Sequence, residues 1–288
     1  MKLTQHDAPE DLLRIIEPLL LANESENNLF LGLLIQYTHH PEQQEDDHFW
    51  FSIEDTGEIL LAGWRTPPFP FGIWAPETGY EPALQCFVEF LKEKNKEVPG
   101  VVARKNVADT FSRMAHNEFK LETFFTMEQG LYECREVDES LLGSGSIRLA
   151  SLGDLELLTD WVIAFYIDVL NTKPLRSETR EKLETEISAG MYYLYEIDGH
   201  PVSTAANARP MKNGITVNMV YTPDHQRSNG YATACVAQLT QKLLKEGWKF
   251  TALYTDLNNP TSNSIYKKIG YRWVTESAEH RFKPQPRV

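Results

Sequence analysis

The sequence predicts an α/β protein built from two domains. Its 288 residues exceed one domain of ~100–200 residues. Strand-like and helix-like periodicities alternate through both halves. The stretch Asp138-Glu-Ser-Leu-Leu-Gly-Ser-Gly-Ser146 reads as a linker between them, because it sets acidic residues beside a Gly/Ser alternation. We place the boundary at about Leu142, giving domains 1–142 and 143–288.

The upstream elements are a hairpin from Phe49 to Trp64, a helix from Glu81 to Lys94, a strand from Gly100 to Ala103 and a helix from Val107 to His116. Between the first two, Trp64-Arg-Thr-Pro-Pro-Phe-Pro-Phe-Gly-Ile-Trp74 is expected outside any regular central strand, since its prolines lack ladder donors. Downstream, Ser146 to Ala150 is a strand candidate, and Asp154 caps a helix running to Leu170. A second helix spans Ser177 to Ser188. Met191 to Ile197 and Val202 to Arg209 flank Asp198-Gly199, a strong hairpin signal, and Ile215 to Thr222 is a strand rich in β-branched residues. Ala232, Cys235, Val236, Leu239 and Leu243 then recur at helical spacing until Gly247. A strand from Phe250 to Thr255, a helix from Pro260 capped by Asn259 and stopped by Gly270, and a strand pair complete the chain. Helix and strand starts in the two halves are offset by about 150 residues (81 and 230, 100 and 250, 107 and 260), as a duplication would leave them.

Composition excludes several classes. The chain is 42% hydrophobic and 24% charged, unlike collagen-like or disordered sequences. It has no run of ~18 apolar residues and starts polar and acidic, so no membrane span and a cytoplasmic location are expected. Cys86, Cys134 and Cys235 form no Cys-x-x-Cys pair, and the histidines show no ligand spacing, so no metal is expected. The net charge of −13 argues against nucleic-acid and anionic-membrane partners. Residues 1–142 carry −15 and residues 143–288 carry +2, yet Pro201 to Val288 alone carry +7, which suits a polyanionic small ligand.

The segment Val217-Asn-Met-Val-Tyr-Thr-Pro-Asp-His-Gln-Arg-Ser-Asn-Gly-Tyr-Ala232 carries the chemistry. A strand, a turn and then Arg-x-x-Gly-x-Ala at a helix start aim backbone N–H groups and the helix N-terminus at one point, an arrangement that binds anions. Gly230 lets the backbone approach a phosphate, having no Cβ. The Gly-Lys-Ser/Thr of a Walker loop and two glycines of a dinucleotide fingerprint are absent.

This loop resembles the pyrophosphate-binding loop of the GNAT superfamily of acyl-CoA-dependent N-acetyltransferases. Asp256-Leu-Asn-Asn-Pro-Thr-Ser-Asn-Ser-Ile-Tyr-Lys-Lys-Ile-Gly-Tyr271 resembles that superfamily's second signature. The resemblance covers residues 146–288, with residues 1–142 as a degenerate copy lacking both motifs. It implies two tandem copies of a mixed, mostly antiparallel sheet flanked by helices, the acyl-CoA N-acyltransferase fold, with acetyl-CoA as cosubstrate. By the same resemblance, backbone at a bulge near Met219, Val220 and Tyr221 pairs with pantetheine. Gln226, Arg227, Ser228, Asn229, Gly230, Tyr231 and Ala232 hold the pyrophosphate, Asn259 and Asn263 bond pantetheine amides, and Tyr266 is the general acid at sulfur. A phenol near pKa ~10 is close enough to a thiol for nearly balanced proton transfer.

Two departures stand out. Ser228 and Asn229 occupy positions where relatives often carry glycine and a basic residue. The glutamate that many members carry on the fourth strand is missing, and Asp160, Asp168, Glu184 and Glu196 are candidates of which none is assigned as base. The expected reaction is acetyl transfer to a primary amine of a small molecule or peptide in a ternary complex, by a monomer or homodimer, the acidic first domain helping to complete the acceptor pocket. The alternatives are a longer acyl-CoA and a CoA-sensing module without turnover.

Overall fold

The computed structural model describes residues 1–170 and 172–285, Leu170 by its backbone only. The chain divides into two compact units. The first holds β1 (Lys2–His6), α1 (Pro9–Ala22), α2 (Asn28–His39), β2 (Phe49–Asp55), β3 (Glu58–Arg65), β4 (Phe71–Trp74), α3 (Glu81–Glu93), β5 (Gly100–Arg104), α4 (Lys105–Phe119) and most of β6 (Leu121–Cys134). The same order follows in β7 (Ser146–Leu149), α5 (Leu155–Leu170), α6 (Arg176–Ser188), β8 (Tyr192–Ile197), β9 (His200–Ala208), β10 (Gly214–Tyr221), α7 (Tyr231–Lys245), β11 (Phe250–Asp256), α8 (Pro260–Ile269) and β12 (Arg272–Pro284). The repeat therefore extends to every element of each half, including the N-terminal strand and two helices that the offsets did not reach. Among the described residues no helix is long and apolar enough to cross a membrane.

Within the first unit the strand order is β1-β2-β3-β4-β5-β12-β6. Pairing is antiparallel at β1–β2, β2–β3, β3–β4 and β5–β12 and parallel at β4–β5. Within the second the order is β11-β10-β9-β8-β7, antiparallel at β7–β8, β8–β9 and β9–β10 and parallel at β10–β11. In each unit the parallel pair joins the fourth and fifth strands, and α3 and α7 supply the crossovers that parallel neighbours need. The first unit's core is aromatic, with Phe51 stacked on Phe87 at 4.1 Å. In the second, Tyr193, Tyr195, Ala205, Ile215, Val217 and Leu253 face α7 and α8, while Tyr192, Leu194 and Ala206 face α5 and α6, as the period-2 alternation of strands requires.

Four expectations are corrected. The boundary is not at Leu142: the first unit extends to Leu131 and also takes Thr255–Asn259 and Val274–Val288. The Gly/Ser stretch is pinned, since Gln238 donates to the carbonyls of Leu142 and Gly145, the Gly145 N–H donates to the Tyr195 hydroxyl, and a Cβ on Gly143 would lie 2.5 Å from that hydroxyl. Phe71–Trp74 is a strand between β3 and β5, the prolines staying in the preceding loop. A single strand, β12, follows α8 where a strand pair was expected.

The fourth correction concerns Asp154. It lies in a 3-10 turn, Leu152–Asp154, that leads into α5; Ser151 caps this turn, and Asp154 is its reciprocal partner in a capping box, accepting from the Ser151 N–H at 2.8 Å. Asp154 also receives two bonds from Arg148, at 2.7 and 2.8 Å, and these hold its carboxyl down at about 2. A depressed carboxyl stabilises the fold above its unfolded pKa and loses that contribution as pH falls through the folded one. We expect Asp154→Asn to cost about 2 kcal/mol at pH 7, the difference from wild type closing between about pH 4 and pH 2 in denaturant titrations. A constant difference across that window would place the cost in the cap alone.

Candidate acyl-CoA site

Two features of β10 expose its backbone. Its parallel register with β11 covers Gly214 to Thr216 against Phe250 to Ala252, three residues of an eight-residue strand. Its register with β9 then slips between Asn218 and Tyr221, with Met219 at φ +50°. A bulge of this kind re-aims a strand and ends its pairing. Met219 and Tyr221 lean on the α5/α6 core, with Tyr221 6.2 Å from Trp161.

After a 3-10 turn at Asp224–Gln226 the loop passes through Ser228 at φ +67° and Gly230 at φ +77°, the N-cap of α7. No side chain caps this helix. Ala234 N–H donates to Gly230 O at 3.0 Å as the first helical bond, so the amides of Tyr231, Ala232 and Thr233 lack an intrahelical acceptor. Nothing of the protein lies within 4 Å of where a Gly230 Cβ would stand. Asn229 braces the loop by donating to Gln226 O and Arg227 O. Arg227 is already engaged: it donates to Thr222 O at 3.0 Å and to Asp168 at 2.7 Å, and lies 2.9 Å from Asp224. The anion cradle is thus one of backbone amides, with Arg227 clamping the loop to α5.

Tyr266 and Asn263 share a face of α8, as spacing i, i+3 requires. Tyr266 is 8% exposed, edge-on to Tyr271 at 5.9 Å. The expectation of a pKa near 10 is corrected: burial first, then the nearby Cys235 thiol, push the phenol up to about 12. Asn263 accepts from the Tyr132 hydroxyl at 3.2 Å. Asn259 belongs instead to the segment that clusters with the first unit.

The residues 199–279 match the family model described as FR47-like protein, a GNAT-related family. No curated protein matches the chain. An acetyltransferase of the GNAT family from Colwellia psychrerythraea aligns over 98% of this chain and 100% of its own, with TM-score 0.61 at 10% identity. A GCN5-related N-acetyltransferase from Sphaerobacter thermophilus aligns over 99% and 97%, with TM-score 0.60 at 13% identity. A Drosophila protein aligns over 99% of both chains, with TM-score 0.66 at 10% identity. The fold is that of the GNAT superfamily. At such identities the likeness is one of fold, and a fold does not by itself fix chemistry.

None of the four carboxylates named from the GNAT-like sequence is free. Asp160 pairs with Arg176, Asp168 with Arg227 at 2.7 Å, Glu184 with Arg180 at 3.4 Å and Glu196 with Arg148 at 2.7 Å. Sequence reasoning missed Glu186, which is part-buried on α6. Burial raises its pKa, against the opposing pull of Lys182 and of a hydrogen bond to Tyr192. Its signal was local: Leu183, Ile187 and Glu186 share the inward face of a helix that is otherwise charged. Asn218, standing on the strand where a base would be, has its side-chain oxygen enclosed with no hydrogen-bond partner.

In the first unit the corresponding backbone carbonyls are taken by one of its own side chains. Matching the parallel registers, Gly72–Val102 against Thr216–Ala252, sets Arg104 level with Tyr254 and Ala75-Pro76 level with Met219-Val220. Arg104 donates to Ala75 O at 2.9 Å and to Pro76 O at 2.6 Å, and pairs with Glu26 at 3.4 Å. The carbonyls at the bulge position are therefore occupied. Also in the first unit, Glu45, Asp47 and His48 bring ligand atoms within 4.8 Å of one another.

Proposed function

We propose that the chain is an N-acetyltransferase that binds acetyl-CoA on its second unit and transfers the acetyl group to a primary amine in a ternary complex. One observation carries the reading: an uncapped helix start, reached through two left-handed residues and open at Gly230, follows a strand whose backbone is released by a bulge. The first supplies amide donors for phosphate. The second supplies an unpaired edge for an extended amide chain. Bound acetyl-CoA supplies an activated acyl group. The amides of Tyr231, Ala232 and Thr233 hold phosphate, Arg227 keeps the loop in place, and Tyr266 holds a proton at its hydroxyl in a dry setting. Thiol release measured with acetyl-CoA and an amine panel tests turnover, and longer acyl-CoAs in the same assay test chain length. CoA binding without thiol release across the panel would make the chain a CoA-binding module.

One CoA per chain is expected. The first unit sets Glu77 and Glu81 near the start of α3 where the second has Arg227, and Arg104 takes the carbonyls that a ligand strand would use. Calorimetric titration should give a stoichiometry near one, and two equivalent sites would overturn this reading of the first unit.

A further inference from the structure

The face of the second unit's sheet toward α5 and α6 carries polar groups that neither the core nor the proposed CoA site uses. Tyr192 opposes Ala206, and Ala206 opposes Asn218, so these three side chains form one row. Thr216, two residues before Asn218, pairs with Ala208 on one side and Ala252 on the other. Tyr254 stands two residues beyond Ala252, so it shares this face and lies level with Asn218. Ala206, Ala208 and Ala252 keep the floor low between the larger groups.

Arg209 reaches onto this floor. It follows β9 with φ +46°, an uncommon conformation for a non-glycine residue, and its guanidinium carbon lies over the Tyr254 ring at 6.0 Å. Its Nε is enclosed and has no hydrogen-bond partner. Among the described residues its guanidinium has no acidic partner, and the Tyr254 ring lies beside it. Burial pulls its pKa down, with Tyr254 opposing. The residue as a whole is half-buried, yet an enclosed N–H of a cation is normally paired, because leaving it without an acceptor costs free energy. Asn218 presents the complementary defect on the same face: an enclosed acceptor with no donor. The other strong cation–carboxylate pairs of this unit are satisfied within the protein, as for Arg148, Arg176, Arg180 and Arg227.

We propose that Arg209 and Asn218 form the recognition site for an acceptor that is a free amino acid, the guanidinium fork receiving its carboxylate and the Asn218 side-chain oxygen receiving an N–H of its amine. A planar fork of donors matches a carboxylate bidentately, and an amide oxygen accepts from an amine without competing for its proton. The site names the substrate class for the N-acetyltransferase reading and rests on it.

The test compares amino acids with their carboxamides in the intact protein, by calorimetry in the presence of CoA and by thiol release with acetyl-CoA. At least one amino acid should bind about 10–100-fold more tightly than its carboxamide, as expected for a charged hydrogen-bonded pair. Arg209→Met should abolish that preference while raising the melting temperature, since an enclosed N–H with no acceptor is removed. Arg209→Lys, a smaller change, should keep part of the affinity and lose most of the preference. Asn218→Ala should weaken acid and amide alike. Equal binding of acids and amides by the wild type, or a preference that survives in both Arg209 variants, would overturn the site. So would a melting temperature that falls in Arg209→Met with the preference intact in Arg209→Lys, which would make Arg209 a structural support. Arg209-dependent amino-acid binding without thiol release would keep the site and refute acetyl transfer; thiol release with no acid preference would do the reverse.

Discussion

Tyr266→Phe should lower turnover by ~10²–10⁴-fold, the range for losing a positioned acid, while CoA affinity stays nearly constant. The ring remains to pack against Tyr271, so only the hydroxyl is tested. A phenol at about 12 looks too weak an acid for an ordinary thiol near ~8.5, a mismatch of roughly 5 kcal/mol. The same surroundings answer this. The Cys235 thiol beside Tyr266 is itself pushed by burial up to about 12, and a sulfur anion formed in equally dry surroundings would gain proton affinity in step with the phenol. The raised value also fixes the sign of the pH dependence. An acid must start protonated, so Tyr266 should produce no falling limb in kcat below about pH 10. A phenylalanine variant with near-native turnover, or an alkaline limb near pH 8 that the variant removes, would exclude this role.

Gly230→Val should weaken CoA binding by about 100-fold or more while leaving the second unit folded. At φ +77° a β-branched residue is strained by ~1–3 kcal/mol, and relief of that strain rotates the amides that start α7 away from their common point. The added atoms meet nothing of the protein within 4 Å, so packing is spared and the side chain projects into the space proposed for phosphate. Calorimetry with CoA, beside circular dichroism to confirm the helix, measures the effect. Unchanged affinity with an intact helix would move the phosphate site elsewhere.

The comparison of the two halves shows where local reasoning was sufficient. The Asp198-Gly199 turn, both residues at positive φ, needs only its own two residues, and the hairpin lies where the sequence predicts it. The same holds for α3, α7 and α8, whose apolar spacing defines one face. The boundary was illegible because Gly143 and Gly145 look like a flexible tether, and their confinement depends on Tyr195 and Gln238 some 50 to 95 residues away. The C-terminal strand read as one of a pair with a local partner, whereas β12 pairs with β5, and strand partners carry no signature in sequence.

At the site the division is physical. By itself the sequence determined the elements, their repetition and the Arg-x-x-Gly-x-Ala loop, because helix period, turn chemistry and glycine's tolerance of positive φ act within a few residues. Tertiary structure decided how the charges are used. Arg227 is bound to Asp168, fifty-nine residues away, Arg104 occupies carbonyls of Ala75 and Pro76, and Arg209 keeps an enclosed Nε with no acceptor. Three arginines that look alike in a sequence thus become a clamp, a plug and an unsatisfied cation. What separates them is the burial and the partners that each receives when distant strands align, and these set the energy of a charge.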